Sequence, residues 1–384
     1  MWHMVLALSM MSCADSANDS SRGRDADPVV RAVLRGLDVL DNDIDSTRTQ
    51  LRAVSGLVAG TPVVNGDFAD AAAIRVGDDL YAFSTNTADA NIPAWRVHLN
   101  RVGADDLGDA LPVLPAWAEP GFVWAPAAAK LSDGYVLYYS TRVAGTSMQC
   151  VSRATSATPA GPFVDDSAAP MVCQEDLGGT IDPSVVADLD GQRWLLFKND
   201  GNCCGFETSI WSARLSEDGL EVIEPFHRLL AAEPGWEGNL IEGPSMLVDD
   251  HAAYLFYSAN AWDSVNYAIG VARCDSPAGP CARITDGEPW LSSTRFARGP
   301  GGQEFFDALG STWMIYHGWY RGDDVKAGAQ RRLFVDLVEV GSDGPVRVGR
   351  GRAVGWIVAV VALIAATIEV IWWRRKRRRP SVPR

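Results

Sequence analysis

The chain has 384 residues, 47% of them hydrophobic and 21% charged, enough for one large domain or two ordinary ones with a full core. Its formal net charge is −14 although six basic residues stand together at 374–379, so the body upstream is more acidic still. An acidic body lacks the basic face that counterion release from a nucleic acid requires, which argues against nucleic acid and polyanionic substrates and leaves neutral ones.

Met4 to Met11 is a short apolar run ending at Ser12-Cys13. Residues 1–13 read either as a signal peptide or as a lipoprotein signal with Cys13 acylated. Residues 14–60 are rich in Asp, Ser and Ala and read as a spacer, with a helix expected within Ala32 to Val58. From 61 to 349 the chain repeats itself. Five units open at Asp70 (DAAAIRVGDDLYAFST), Ala125 (APAAAKLSDGYVLYYS), Asp182 (DPSVVADLDGQRWLLFK), Gly243 (GPSMLVDDHAAYLFYS) and Gly301 (GGQEFFDALGSTWMIYH). Each is a small or acidic opening, a short apolar run, a polar turn and an aromatic-aliphatic run, the pattern of a β-hairpin with buried strands. Recurrence about every 55 to 60 residues leaves room for four strands per unit. The expected fold is all-β, a five-bladed β-propeller of four-stranded blades. Two packed β-sandwiches fit the same strands less economically.

Cysteines suit an oxidising compartment. Cys150 with Cys173, and Cys274 with Cys281, each bracket a Pro-Gly loop and are expected to pair. Cys203 and Cys204 are adjacent and read either as a vicinal disulfide or as two thiols. Val354 to Trp373 (VGWIVAVVALIAATIEVIWW) has the length of a bilayer core, with Trp356 and Trp372-Trp373 at its edges. The basic tail 374–384 follows. The positive-inside rule puts that tail in the cytoplasm and the body outside a cell membrane, held by one C-terminal transmembrane helix. Glu369 lies about one turn from the arginines and is expected to reach the interface or pair with them.

In a propeller the innermost strand of every blade lines the axis, so equivalent positions converge. Asp70 and Asp182 open blades one and three, and Glu242 precedes the opening of blade four. Asp67 shares a loop with Asp70 and competes with it. Two carboxyls with opposite jobs, one protonated and one ionised, are what glycoside hydrolysis needs, and a third nearby raises the acid by like-charge repulsion. The 14 Trp suit β-structure and also stacking on sugar rings.

The segments resemble glycoside hydrolase family 43. NGDFADAAAIRVGDDLYAFSTN is similar to its first-blade segment, whose Asp is the general base; that role falls on Asp70. GGTIDPSVVADLDGQRWLLFK resembles its third-blade motif, whose Asp tunes the acid, here Asp182. NLIEGPSMLV resembles its fourth-blade motif, whose Glu is the general acid, here Glu242. FVWAPAAAKLSDGYVLYYS, GPGGQEFFDALGSTWMIYHGW and RRLFVDLVEVGSDGPVRV are similar to its second blade, fifth blade and closing strands. The chain departs from the family at Ala71, where Pro is usual, at Ala127, where an acidic residue is usual, and at Gly302-Gln303, where many members carry a His near an axial calcium. No cofactor is expected, and that last departure leaves an axial calcium open.

The resemblance implies hydrolysis of arabinofuranosyl- or xylosyl-type linkages in a glycan by an inverting monomer. Trp124, Phe68 and Trp236 are the aromatics expected to stack on sugar, Trp124 above all. Arg331 is expected to reach the pocket through the last blade. His317, in YHGW, reads as structural more than substrate-facing. The competing expectations are a non-catalytic glycan-binding propeller and a related five-bladed family that cleaves fructans with retention.

Overall fold

The computed structural model describes residues 62–347 except 65, 102, 251, 286, 309, 327, 342 and 343. The expected leader, spacer, membrane span at 354–373 and basic tail lie outside the described residues. Among the described residues no helix is long and apolar enough to cross a membrane.

Five antiparallel sheets follow one another along the chain. Blade one holds β1 (Ala72–Val76), β2 (Asp79–Phe83), β3 (Pro93–His98) and β4 (Ala104–Asp109). Blade two holds β5 (Ala118–Leu131), β6 (Gly134–Val143) and β7 (Gln149–Ser156). Blade three holds β8 (Thr180–Ala187), β9 (Arg193–Asn199), β10 (Ser209–Leu215) and β11 (Val222–Ala231). Blade four holds β12 (Ile241–Val248), β13 (Ala253–Ala259), β14 (Ala268–Cys274) and β15 (Cys281–Arg283), and blade five β16 (Ala297–Ala308), β17 (Ser311–Tyr320), β18 (Arg332–Gly341) and β19 (Gly344–Arg347). Each expected hairpin is the inner pair of one blade.

Blade two departs from the four-strand expectation. Its outer segment forms no ladder with β7, only isolated backbone bridges at Val172 and Val164. Pro162 and Pro170 lack the N–H that a ladder needs. Side chains do the anchoring instead: Asp165 accepts from Tyr139 Oη at 2.6 Å and Ser152 Oγ at 2.5 Å, and Cys173 is bonded to Cys150. The second expected bridge, Cys274–Cys281, also forms.

The core is not central. It is five separate seams between neighbouring blades. The second strand of each hairpin is buried on both faces, which is why YVLYY, WLLF and YLFY read as unbroken apolar runs. Successive residues serve successive seams. Leu137 and Tyr139 pack toward blade one with Phe83 and Phe163, whereas Val136 and Tyr138 pack toward blade three with Leu195 and Phe197. Leu196 meets Leu255 and Tyr257 of blade four, whose Phe256 meets Met314 and Tyr316 of blade five. Burying a large apolar side chain is worth about 1.5–3 kcal/mol, so each blade depends on both neighbours. The ring closes where Val63 N–H donates to Leu333 O at 2.8 Å, with Trp313 and Ile315 packed on Leu80 and Val97.

Every blade opens on a bulge. Register jumps by two residues against one between Trp124 and Ala127, Ile181 and Ser184, Glu242 and Ser245, and Gly301 and Glu304. Blade one does the same between Ala69 and Ala72. One residue of each bulge is left-handed: Asp70 (φ 52°), Ala125 (39°), Asp182 (56°), Gly243 (53°) and Gly302 (57°). A bulge re-aims a side chain, and here it turns residues of the inner strand toward the axis.

The freed backbone N–H of each bulge is caught by the neighbouring blade. Asp70 N donates to His317 Nδ1 at 2.9 Å, Ala125 N to Thr85 Oγ1 at 2.9 Å, Asp182 N to Ser140 Oγ at 3.0 Å and Gly302 N to Ser258 Oγ at 2.9 Å. These acceptors sit at equivalent places, opposite the bulge of their own blade. The fifth equivalent residue is Lys198, which cannot accept. Gly243 N donates instead to Asp182 Oδ2 at 2.8 Å, and Lys198 is free for another task.

Candidate active site

The bulges face a cavity of about 430 Å³ lined by Asp70, Asp182 and Glu242 together. That volume suits a small ligand. Asp67 is set aside: its Oδ1 accepts from Arg331 N at 2.8 Å on the exposed side.

Asp70 Oδ2 accepts from Thr85 Oγ1 at 2.7 Å, and its Oδ1 lies 3.6 Å from Arg331 Nη1. Burial pushes its carboxyl up, but the Arg331 charge, His317 and the Thr85 hydrogen bond outweigh it and hold Asp70 below the ordinary aspartate range. His317 supplies no charge near neutrality. Burial and Arg331 push it down to about 3, and its Nδ1 already accepts the Asp70 N–H. Above that pH, Arg331 and Thr85 are what keep Asp70 ionised.

Glu242 is gripped at both oxygens. Tyr267 Oη donates to Oε1 at 2.8 Å and Lys198 Nζ to Oε2 at 3.1 Å. Lys198 is fully buried and also donates to Asn202 Oδ1 at 2.7 Å. Burial opposes its charge, yet Glu242, Asp182 and Asp200 more than compensate and raise it. Asp182 is pushed up to about 7, first by burial and then by the Glu242 charge, against Lys198 and the Gly243 N–H. Raised this far, Asp182 holds its proton into the neutral range, beside Glu242. The cavity thus sets a carboxyl held low, Asp70, against one held high, Asp182, with Glu242 beside the latter.

The expected sugar contacts divide. Trp124 and Arg331 line the cavity. Phe68 does not: it is wholly buried in the seam between blades one and five. Trp236 stacks on Tyr257 at 6.1 Å and borders a separate depression with Asn260 and Asn266. His317 is fully buried and carries the Asp70 backbone. Trp262, which no sequence pattern singled out, lines the cavity with the Arg331 guanidinium 4.9 Å above its ring. Tyr267 and Lys198 were not expected at the site either. Lys198 had a signal, as the one cation among Thr85, Ser140, Ser258 and His317 at the repeat ends. Trp262 and Tyr267 lie in or beside an irregular loop, where no period marks them.

Among the described residues no group of three or more His, Cys, Asp or Glu is placed to hold a metal ion. Gln303 Nε2 donates to Gly243 O at 2.7 Å and its Oε1 accepts from Ser258 Oγ at 3.1 Å. With Nδ1 of His317 accepting, the hydrogen sits on Nε2, which then has no lone pair to give.

A sequence model of glycosyl hydrolases family 43 matches residues 59–346. The chain belongs to that family. As a family 43 protein it is an O-glycosyl hydrolase. It is 24% identical over 301 residues to a β-D-galactofuranosidase of Aspergillus niger, covering 71% of this chain and 80% of the relative. It is 27% identical over 228 residues to an extracellular endo-α-(1→5)-L-arabinanase of Bacillus subtilis, covering 56% of this chain and 65% of that enzyme. In fold it is similar to a thermostable family-43 glycoside hydrolase, with a TM-score of 0.66 at 23% identity over 74% of this chain and 94% of the other.

Proposed function

We propose that this family 43 hydrolase cleaves arabinofuranosyl- or xylosyl-type linkages with inversion of the anomeric carbon. Asp70 takes a proton from water as that water attacks carbon. Glu242 gives the leaving oxygen a proton, and Asp182 beside it tunes and orients that acid. The observation that carries the reading is the contrast in one cavity between Asp70, held below its usual range, and Asp182, raised to about 7. The name of the Aspergillus relative specifies a furanosyl sugar, which supports a furanosyl glycone. The apolar stretch 354–373 with its basic flank supports a membrane tether outside the cell.

The test is the anomer of the first product, followed by NMR before mutarotation. Inversion gives the opposite configuration to the substrate, whereas a product that keeps it requires a covalent intermediate and overturns the roles of Asp70 as base and Glu242 as acid.

The pH profile of kcat/KM is expected to be a bell. Rate falls as pH rises through about 7, the value for Asp182, because Asp182 then loses the proton that supports the acid beside it. Rate falls on the acid side only below the usual aspartate range, because Asp70 stays ionised until then. Initial rates at constant ionic strength check both limbs. A basic limb unmoved by Asp182→Asn would show that Asp182 does not set it.

A further inference from the structure

Cys203 and Cys204 are bonded to each other, which settles the choice left open by the sequence. They end a tight turn, Gly201–Cys203, just past β9. Both sulfur-bearing residues are exposed, as is Phe206 beside them, and Cys203 lines the cavity with Asp200 and Asn202.

A bridge between adjacent residues closes no loop, so it removes almost nothing from the unfolded ensemble. Cys150–Cys173 and Cys274–Cys281 span 23 and 7 residues and are the ones placed to staple the fold. What the vicinal bridge changes is the surface. Two thiols would bring S–H donors. A disulfide is an apolar, polarisable ridge with none. Beside the carboxylates and the lysine of the cavity, such a ridge matches one part of a sugar, the C–H face of its ring. The other large apolar surfaces, Trp124 and Trp262, come from blade two and from the loop after β13.

We propose that the Cys203–Cys204 disulfide is the platform on which the leaving-group sugar rests. Its side of the cavity follows from its neighbours. The same turn carries Asn202, which accepts from Lys198, which in turn bonds Glu242. The partners of Asp70, namely Thr85, His317 and Arg331, belong to blades one and five. The ridge therefore flanks the group that protonates the departing oxygen. This inference rests on the acid–base roles proposed for Asp70 and Glu242.

The test is the double variant Cys203→Ser/Cys204→Ser in the full chain, assayed on arabinobiose and on nitrophenyl arabinofuranoside, or on the xylose pair if the enzyme prefers it. The first substrate has a sugar to rest on the ridge and the second does not. The ratio of kcat/KM, disaccharide over aryl glycoside, is expected to fall about tenfold, carried by KM. The melting temperature should stay within a few degrees, since no loop is opened. If the double variant does not fold, the unaltered protein is reduced briefly with a water-soluble phosphine and alkylated. Cys150 and Cys274 are buried, so mass spectrometry can select conditions that label Cys203 and Cys204 first. An unchanged ratio overturns the platform. So does an equal fall on both substrates carried by kcat, which would make the turn a positioning device for Lys198. An unaltered protein that cleaves neither substrate sinks the acid–base roles, and the platform with them.

Discussion

Glu242→Gln is expected to lower kcat/KM by about 10²- to 10⁴-fold on glycosides whose leaving group needs a proton. On dinitrophenyl glycosides, whose leaving group departs as a stable anion, the loss should be far smaller. The substitution keeps the size of the side chain, and an amide oxygen can still accept from Lys198 Nζ. Lys198 also keeps Asn202, Asp182 and Asp200 around it, so the buried cation is not stranded and KM should change little. A second signature is specific to the pair. The Glu242 charge is a principal cause of the rise in Asp182. Removing it lowers Asp182 while burial, the larger cause, remains, so the basic limb of the residual activity should move to lower pH. Losses that are equal for good and poor leaving groups would remove Glu242 from the acid role.

Asp70→Asn should cost a similar factor, about 10²- to 10⁴-fold, but on every substrate alike. Water has to be activated however easily the other group leaves. The backbone should accept the change: φ at Asp70 is 52°, a left-handed conformation that Asn tolerates best after Gly. The N–H to His317 is untouched. Added azide should restore turnover to Asp70→Ala, because an anionic nucleophile needs no base, and it should yield the glycosyl azide of inverted configuration. Azide rescue of Glu242→Gln but not of Asp70→Ala would exchange the two roles.

The ring was legible because its inner hairpins carry their own pattern. Strands buried on both faces announce themselves as short apolar runs, and the polar turns between them fix the period. The outer strand of blade two was not legible, since Pro162 and Pro170 replace a ladder by side-chain anchors such as Asp165. The three carboxylates were found by equivalence between blades, and the bulges explain why equivalence works. Asp70 and Asp182 occupy the left-handed position itself, while Glu242 stands one residue earlier, beside Gly243.

Aromatics were harder. Phe68 sits two residues from Asp70, which suggested a pocket, but the chain there enters the seam with blade five. Proximity in sequence to a catalytic candidate says little about which way a ring points. Trp262 sits in an irregular loop, whose direction no periodicity sets. Lys198 is different in kind. It was written plainly at the end of LLFK, where other blades end in Ser, Thr or His. A buried lysine in the place of a hydroxyl is an anomaly of charge, and anomalies of that sort mark chemistry more reliably than hydrophobic pattern does.

The five left-handed openings also bear on how such a ring could acquire a new trade. Asp70, Asp182 and Gly243 are committed to the carboxylates. At Gly302 an added Cβ would fall 2.6 Å from His317 Nδ1 and 3.0 Å from the Cα of Asp70, so that seat is sealed. Ala125 is different. It already bears a Cβ at φ 39° and borders the cavity. Asn or Asp would be the least awkward newcomers there, for conformational reasons alone. Divergence toward other sugars thus has one unlocked door among the five, and blade two holds it.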